Sequence, residues 1–171
     1  HYETLSKEDI DLLNYQFLDH SNYIKLKGKE YDLGEGIPVV DVSGSMHGDP
    51  MNAAIGIGII LSENAKNSYK DYVITFDNNP TLIKLKYPET IGEYDLSFSN
   101  DYNTFKPYKC LDWDSNRCGG ELTPVEKILV LKNCPWGGTT NIHSTFELLI
   151  DIAKQGNSDL LKKLYILTDM Q

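Results

Sequence analysis

An acidic residue and two serines occupy alternate positions where an apolar stretch of the chain ends. Asp41, Ser43 and Ser45 follow directly after the apolar residues 37–40. One carboxylate and two hydroxyls at this spacing are suited to a hard divalent cation, because Mg²⁺ and similar ions prefer oxygen ligands. The pattern alone is a weak signal, since Ser and Asp are common residues, so the interpretation depends on what surrounds it.

The residues after the serines indicate the start of a helix. Gly48, Asp49 and Pro50 form a turn and a helix-start signal, and the apolar stretch 51–63 predicts a buried helix. The serine loop is therefore expected to connect a buried strand to the first helix of a strand-helix-strand unit. Its polar side chains would then lie at the carboxyl end of that strand.

Two later segments carry further oxygen-bearing side chains at equivalent places. Thr139 and Thr140 follow two glycines just before a predicted helix, and Thr168 and Asp169 end the apolar run 164–167. In an open parallel sheet, the loops beyond the carboxyl ends of the strands meet at one crevice. The three segments are therefore expected to converge on one ion, although each also fits a plain structural role as a helix cap or turn.

Together the three segments resemble the metal-ion-dependent adhesion site of the von Willebrand factor A domain. The motif of that family is Asp-x-Ser-x-Ser, a distant Thr and a distant Asp, which Asp41, Ser43, Ser45, Thr139 and Asp169 match in order. The resemblance implies Mg²⁺, or Mn²⁺, held directly by both serines and, in a tight-binding state, by Thr139. Asp41 and Asp169 would bind the ion directly or through water. Thr139 is favoured over Thr140 in the second loop, since in the family the first Thr after the small residues takes this role.

The order of predicted elements indicates an α/β fold with a mostly parallel sheet. A dense turn signal at residues 77–80 joins two predicted strands, which would place one antiparallel strand at the edge. The predicted strands are 37–41, 71–76, 81–86 and 160–168, and the predicted crossover helices are 52–65 and 141–153. The resemblance implies a Rossmann-like fold with helices on both faces. It also implies a six-stranded sheet, so we expect the C-terminal part of the domain to be missing from this chain.

Two segments flank or interrupt this pattern. Residues 1–36 predict an N-terminal helix that begins at Ser6, then a linker or hairpin centred on residues 27–29. Residues 37–171 are interpreted as the truncated von Willebrand factor A domain, with an insertion at about 87–133 that lacks clear periodicity. Gly56 and Gly58 weaken the predicted helix, and their expected use is close packing against the sheet.

Composition narrows the classes of partner. The formal net charge of -9 argues against direct binding to nucleic acid or to an anionic membrane, because both require a positive surface. No apolar run is long enough for a membrane span. The sequence has only three cysteines and no Asn-x-Ser/Thr sequon, which indicates an intracellular, reducing setting. Three segments, Val-Ile-Thr-Phe at 73–76, the glycine-threonine loop at 137–140 and Leu-Thr-Asp-Met at 167–170, are most similar to an intracellular branch of the family. This branch comprises the Ro ribonucleoprotein A domain and an uncharacterised family found in eukaryotes and giant DNA viruses. That resemblance implies a cytoplasmic or virus-associated protein.

These observations predict a binding domain that is not an enzyme. The resemblance implies that the ion recognises a carboxylate supplied by a protein partner, within a larger assembly. One alternative is Mg²⁺-dependent phosphoryl transfer with Asp41 as nucleophile, but Ser43 stands where such sites place a general acid. A second alternative is a ribonucleoprotein component that contacts RNA through other domains.

Overall fold

Four strands and four longer helices make up the computed structural model, which describes residues 6–31, 36–66, 68–87, 115–134, 139–154 and 162–169. The strands are β1 (Gly36–Asp41), β2 (Tyr72–Phe76), β3 (Leu82–Lys84) and β4 (Lys163–Leu167). The helices are α1 (Lys7–Tyr31), α2 (Asp49–Asn64), α3 (Pro124–Lys132) and α4 (Ile142–Lys154). No described helix is both long enough and apolar enough to cross a lipid bilayer.

The strands form one sheet in the order β3-β2-β1-β4. β1 pairs in parallel with both β2 and β4, whereas β2 and β3 are antiparallel and joined by a short turn. This arrangement confirms the predicted Rossmann-like α/β fold and its antiparallel edge strand. It also places β1 between two parallel neighbours. The carboxyl ends of these three strands therefore lie on the same side of the sheet, where the loops that follow them meet.

Helices cover both faces of the sheet and bury two apolar clusters. On one face, α2 and α3 pack with Val40 and Val73 around side chains that include Ile55, Ile59 and Val130. On the other face, Leu148 and Ile152 of α4 pack against Ile37, Val39 and Ile74. Alternate residues of β1 therefore face opposite cores, which explains why the whole strand is apolar up to Asp41.

The two glycines of α2 have different surroundings. A Cβ atom at Gly58 would lie 2.6 Å from Cγ2 of Val40, whereas a Cβ at Gly56 would meet nothing within 4 Å. The expectation of close packing against the sheet is confirmed for Gly58. It is wrong for Gly56, because that position faces away from β1.

The hairpin predicted around residues 27–29 is wrong. α1 continues as one helix from Lys7 to Tyr31 and passes through Gly28. Its start was predicted correctly, since the Ser6 hydroxyl accepts a hydrogen bond from the Asp9 N–H and the Asp9 carboxylate accepts one from the Ser6 N–H. A glycine within a helix costs about 1 kcal/mol relative to alanine, which a long helix can tolerate.

α1 is held against the body of the domain by contacts with α2 and α3. Phe17 packs against the cluster beneath α2 and α3, and the side-chain oxygen of Asn14 accepts a hydrogen bond from the Val125 N–H. The Ser21 hydroxyl donates to Glu63 near the end of α2. Most of the insertion predicted at about 87–133 lies outside the described residues, but its last part contains α3.

Candidate metal centre

Asp41 is the last residue of β1 and its carboxylate is fixed by two hydrogen bonds. One oxygen, Oδ1, accepts a hydrogen bond of 2.8 Å from the Ser43 N–H, and the other, Oδ2, accepts one from the Thr168 hydroxyl. The residue is 1% exposed. A buried carboxylate needs such partners because its desolvation is costly, so this geometry accounts for a charged group beneath the loop.

The two serines lie side by side above this carboxylate. Their Oγ atoms are 3.0 Å apart, and the Ser45 hydroxyl donates to Oδ1 of Asp169 over 3.3 Å. A short 3-10 turn, Gly44–Met46, sets this spacing, and the buried Met46 side chain anchors it to the core. The structure therefore brings four predicted site residues together from the ends of β1 and β4.

The fifth predicted residue, Thr139, lies in the loop before α4 and is exposed. Within the described part of the chain it makes no hydrogen bond to the other four residues. Asn141 caps the helix that follows, α4, by accepting hydrogen bonds from the His143 and Ser144 N–H groups. The glycines at 137 and 138 lie outside the described residues, so a ligand role for Thr139 stays a prediction.

Asp77 is a second buried carboxylate at the same edge of the sheet. It follows Phe76, whose backbone pairs with Asp41, and it is 5% exposed. Its Oδ1 accepts a hydrogen bond from the Asn79 N–H, which confirms the turn role predicted from the sequence. Burial raises the pKa of Asp77, the Asn79 hydrogen bond opposes this effect, and the negative charge of Asp41 raises the pKa further.

Two residues at this edge were not predicted as part of the site. Thr168 was placed beside Asp169 in the third segment but was not predicted as a ligand, and Asp77 was predicted only as a turn residue. The available signal was positional, since each ends or follows a strand that pairs in parallel with β1. A search for polar residues at the carboxyl ends of the strands beside β1 would have identified both Thr168 and Asp77.

The four side chains brought together here offer only oxygen atoms, from two hydroxyls and two carboxylates. They can hold a hard cation only if the hydroxyls and water supply part of its coordination. Among the described residues, no group of three or more His, Cys, Asp or Glu side chains could hold a metal ion. The available oxygens are the two serine hydroxyls and the carboxylates of Asp41 and Asp169. Soft or borderline ions bound by Cys and His do not match this set, whereas Mg²⁺ and Mn²⁺ do.

Comparisons with known proteins give similarities to uncharacterised sequences and name no function. A family model described as a domain of unknown function, DUF7788, matches residues 35–106, which contain β1, the serine loop, α2, β2 and β3. The Uncharacterized protein L728 of Acanthamoeba polyphaga mimivirus is 30% identical over 170 residues, which cover 91% of this chain and 24% of that protein. The chain thus spans about a quarter of the relative it matches.

No solved structure matches the chain. Neither the family model nor the viral relative carries a description that specifies a ligand or an activity. The functional argument therefore depends on the geometry of the side chains at the carboxyl edge of the sheet.

Proposed function

We propose that the chain is a divalent-metal-dependent protein-binding domain with an adhesion site of the von Willebrand factor A type. The observation that carries the proposal is the contact between Ser45, beside the carboxyl end of β1, and Asp169, beyond the end of β4. These residues are 124 positions apart, and their contact joins two of the three segments that the motif would bring together. The ion is Mg²⁺ or Mn²⁺, and its ligand from the partner is a carboxylate.

The spacing of the oxygens supports this assignment. In an octahedral Mg²⁺ site with ligands at about 2.1 Å, neighbouring ligand oxygens lie about 3.0 Å apart. The serine hydroxyls are 3.0 Å apart, and Ser45 Oγ is 3.3 Å from Asp169 Oδ1. These three oxygens can occupy adjacent positions of one octahedron with small movements.

The existing hydrogen bonds of Asp41 favour an indirect role for its carboxylate. Both of its oxygens already accept hydrogen bonds, one from the Ser43 N–H and one from the Thr168 hydroxyl. Asp41 would therefore orient the serine loop and bind the ion through water. Neutral hydroxyls in direct contact leave most of the positive charge on the ion, and an acidic side chain from a partner can then complete the coordination.

The same geometry disfavours phosphoryl transfer. A nucleophilic carboxylate needs an oxygen that can reach a phosphorus atom, whereas Asp41 is 1% exposed and both of its oxygens are engaged. Ser43 occupies the position where a second acid would protonate the leaving group, and a hydroxyl is a poor proton donor at neutral pH. Binding without catalysis therefore accounts better for the residues present.

The proposed setting is intracellular, within a larger assembly of cytoplasmic or virus-associated proteins. The net charge of -9 supports a protein partner over direct contact with nucleic acid, because phosphate binding needs a positive surface. A ribonucleoprotein role would have to be carried out by other domains. The similarity to a mimivirus protein is in keeping with this setting.

Isothermal titration calorimetry with MgCl₂ and MnCl₂ tests the site directly. The chain is expected to bind one ion, and the double variant Ser43→Ala, Ser45→Ala is expected to lose measurable binding. Ser62→Ala is the matched control, because that serine is buried in α2 and its hydroxyl donates to the Ile59 carbonyl, away from the site. Unchanged affinity in the double variant would rule out the proposed centre.

A phosphatase assay separates the two classes of function. With p-nitrophenyl phosphate and Mg²⁺, we expect no turnover above the rate without protein. Turnover that requires Mg²⁺ and disappears in Asp41→Asn would replace the binding function with catalysis.

A further inference from the structure

An exposed apolar stripe runs along the outer face of α1. It is formed by Leu12, Tyr15 and Tyr23, whose side chains are 58%, 79% and 62% exposed. Of the ten large hydrophobic residues that are exposed in the described part of the chain, five belong to this helix. Single exposed apolar residues are common on protein surfaces, whereas a contiguous set of them marks a contact surface.

The opposite face of α1 is the one that holds the helix on the domain. Asn14, Phe17 and Ser21 make its contacts with α2 and α3. Positions three and four residues apart share one side of a helix, so these three residues lie together. At 3.6 residues per turn, the stripe lies on the side that faces away from α2 and α3. The stripe is therefore left uncovered by the part of the chain that the structure describes.

Opposite charges lie at the two ends of α1. The acidic residues of its first turns are Glu8, Asp9 and Asp11, and the lysines toward its end are Lys25, Lys27 and Lys29. Each end also has one residue of the other sign, Lys7 or Glu30, which leaves the start net acidic and the end net basic. Two such helices repel each other when parallel and attract each other when antiparallel. The helix dipole favours the same signs, but it gives no reason for the apolar stripe between them.

We infer that two copies of this chain associate through α1, with the two helices antiparallel about a twofold axis. A twofold interface uses the same patch on both copies, so the patch must be complementary to itself after reversal. The stripe has this property, because Leu12 then lies against the partner's Tyr23. The acidic first turns of each helix lie alongside the basic last turns of the other. Apolar burial supplies the affinity, and the charges set the orientation.

Asp19 lies within the stripe and selects the register of the two helices. The alignment of Leu12 with the partner's Tyr23 sets Asp19 opposite the partner's Gln16, whose amide can donate a hydrogen bond to the carboxylate. An alignment of Tyr15 with the partner's Tyr23 would instead set the two copies of Asp19 against each other. Repulsion between these like charges disfavours that register.

The inference does not depend on the proposed function. α1 contacts Glu63 near the carboxyl end of α2, whereas the serine loop precedes the start of that helix. Association through α1 therefore involves a different surface from the candidate metal centre. Failure of Mg²⁺ binding would leave it unaffected.

Sedimentation velocity of the full 171-residue chain over a series of concentrations, with EDTA present, tests the association. The unaltered chain is expected to form a dimer whose fraction rises with concentration. Tyr23→Glu should raise the dissociation constant by about tenfold or more, because it removes an aromatic contact and buries a carboxylate in its place. Phe146→Glu is the matched control, since Phe146 is 47% exposed on α4, and it should leave the dissociation constant unchanged.

Charge reversal tests the antiparallel orientation without altering the stripe. One variant is Glu8→Lys, Asp11→Lys, and the other is Lys25→Glu, Lys27→Glu. In each variant both ends of α1 have the same sign, so each should dimerise more weakly than the unaltered chain at low ionic strength. An equimolar mixture of the two should form a heterodimer as tight as the unaltered dimer, because every end again meets its opposite charge. Formation of that heterodimer also shows that both variants are folded.

Three results would overturn the inference. The first is a chain that stays monomeric at every concentration. The second is a dimer that Tyr23→Glu leaves intact, and its loss in Phe146→Glu would then place the contact on α4. The third is a pair of charge-reversed variants that dimerise as tightly as the unaltered chain, because in a parallel pair each end meets its own copy whatever its sign.

Discussion

The hydroxyl of Thr168 donates a hydrogen bond to the carboxylate of Asp41, although the two residues are 127 positions apart in the sequence. This contact joins the carboxyl ends of β4 and β1 beside the parallel pairing of Val40 with Leu167. It also satisfies the Asp41 oxygen that the Ser43 N–H does not reach. Thr168 therefore positions the buried carboxylate around which the serine loop is arranged.

Replacement of Thr168 by valine is expected to destabilise the domain by about 1–3 kcal/mol, because a buried carboxylate oxygen would lose its partner while the side-chain volume is kept. Urea denaturation at neutral pH measures this change. Mg²⁺ should stabilise the variant less than the unaltered chain, since Asp41 would no longer be held in place.

The control for Thr168→Val is Ser62→Ala, which removes a buried hydroxyl whose partner is a backbone carbonyl in α2. The stabilisation by Mg²⁺ in this variant should equal that of the unaltered chain. Equal Mg²⁺ stabilisation in Thr168→Val would mean that Thr168 has no part in positioning the site.

Asp77→Asn is expected to stabilise the domain in a pH-dependent way. Burial and the nearby charge of Asp41 raise the pKa of folded Asp77 above its usual value of 3.8, so folding favours the protonated form. The stability that protonated Asp77 contributes is fully present below the pKa that Asp77 has in the unfolded chain. It is lost as the pH rises through the higher pKa that Asp77 has in the folded protein. The asparagine stays neutral, so its advantage should be absent below about pH 3.8 and grow above it.

Urea denaturation of both chains over a series of pH values measures this difference. The control repeats the comparison in an Asp41→Asn background, where the advantage of Asp77→Asn should be smaller because a neighbouring negative charge has been removed. An advantage that is constant across the pH range would contradict a raised pKa of Asp77.

The sequence predicts a site residue where an oxygen-bearing side chain lies at the end of an apolar strand. Asp41, Ser43, Ser45 and Asp169 were found because each lies at or just beyond an apolar strand and has an oxygen ligand. The contributions of Thr168 and Asp77 depend on which strands are neighbours. Neighbour order in a sheet is set by long-range packing, which local sequence patterns do not encode.

Exchange of each α2 glycine for alanine should give opposite results. Gly58→Ala should lower the free energy of unfolding by about 1–3 kcal/mol, because its methyl group would overlap Val40 and force the helix away from the sheet. Gly56→Ala should raise it by up to about 1 kcal/mol, since that position has free space and alanine favours the helix.

Thermal or urea denaturation of both variants makes each glycine the control for the other. Both substitutions improve helix propensity to the same extent, so the difference between them isolates the contact with Val40. Stabilisation by Gly58→Ala would mean that α2 does not approach β1 as closely as described.

The fold was predictable from periodicity wherever one element has a single buried face, as in α4, or is buried throughout, as in β1. The second half of α1 was not predictable in this way. Gly28 and its flanking lysines have the composition of a turn, yet the helix continues through them to Tyr31. Contacts of Phe17 and Ser21 with the rest of the domain stabilise the preceding turns, and tertiary contacts of this kind override weak local propensity.

A buried ion pair connects α2 and α3, which cover the same face of the sheet. Nζ of Lys127 in α3 is 2.7 Å from Oε1 of Glu63 in α2, and the Ser21 hydroxyl of α1 donates to the other oxygen of Glu63. The side chains of Lys127 and Glu63 are only 5% and 13% exposed. The three helices are thus joined through one carboxylate, and the loss of either charge would break the ion pair between α2 and α3.

Lys127→Met is expected to lower the free energy of unfolding by about 3–5 kcal/mol, because the buried Glu63 carboxylate would lose its contact with the Lys127 ammonium group. The double variant Lys127→Met, Glu63→Leu should recover most of this loss, since well-packed apolar residues often replace a buried ion pair without net cost. A double-mutant cycle measured by urea denaturation gives the coupling energy.

Lys154→Met is the control, because its pairing with Asp151 is exposed and should contribute no more than about 0.5 kcal/mol. If Lys127→Met cost no more than this control, the pair would not connect the helices.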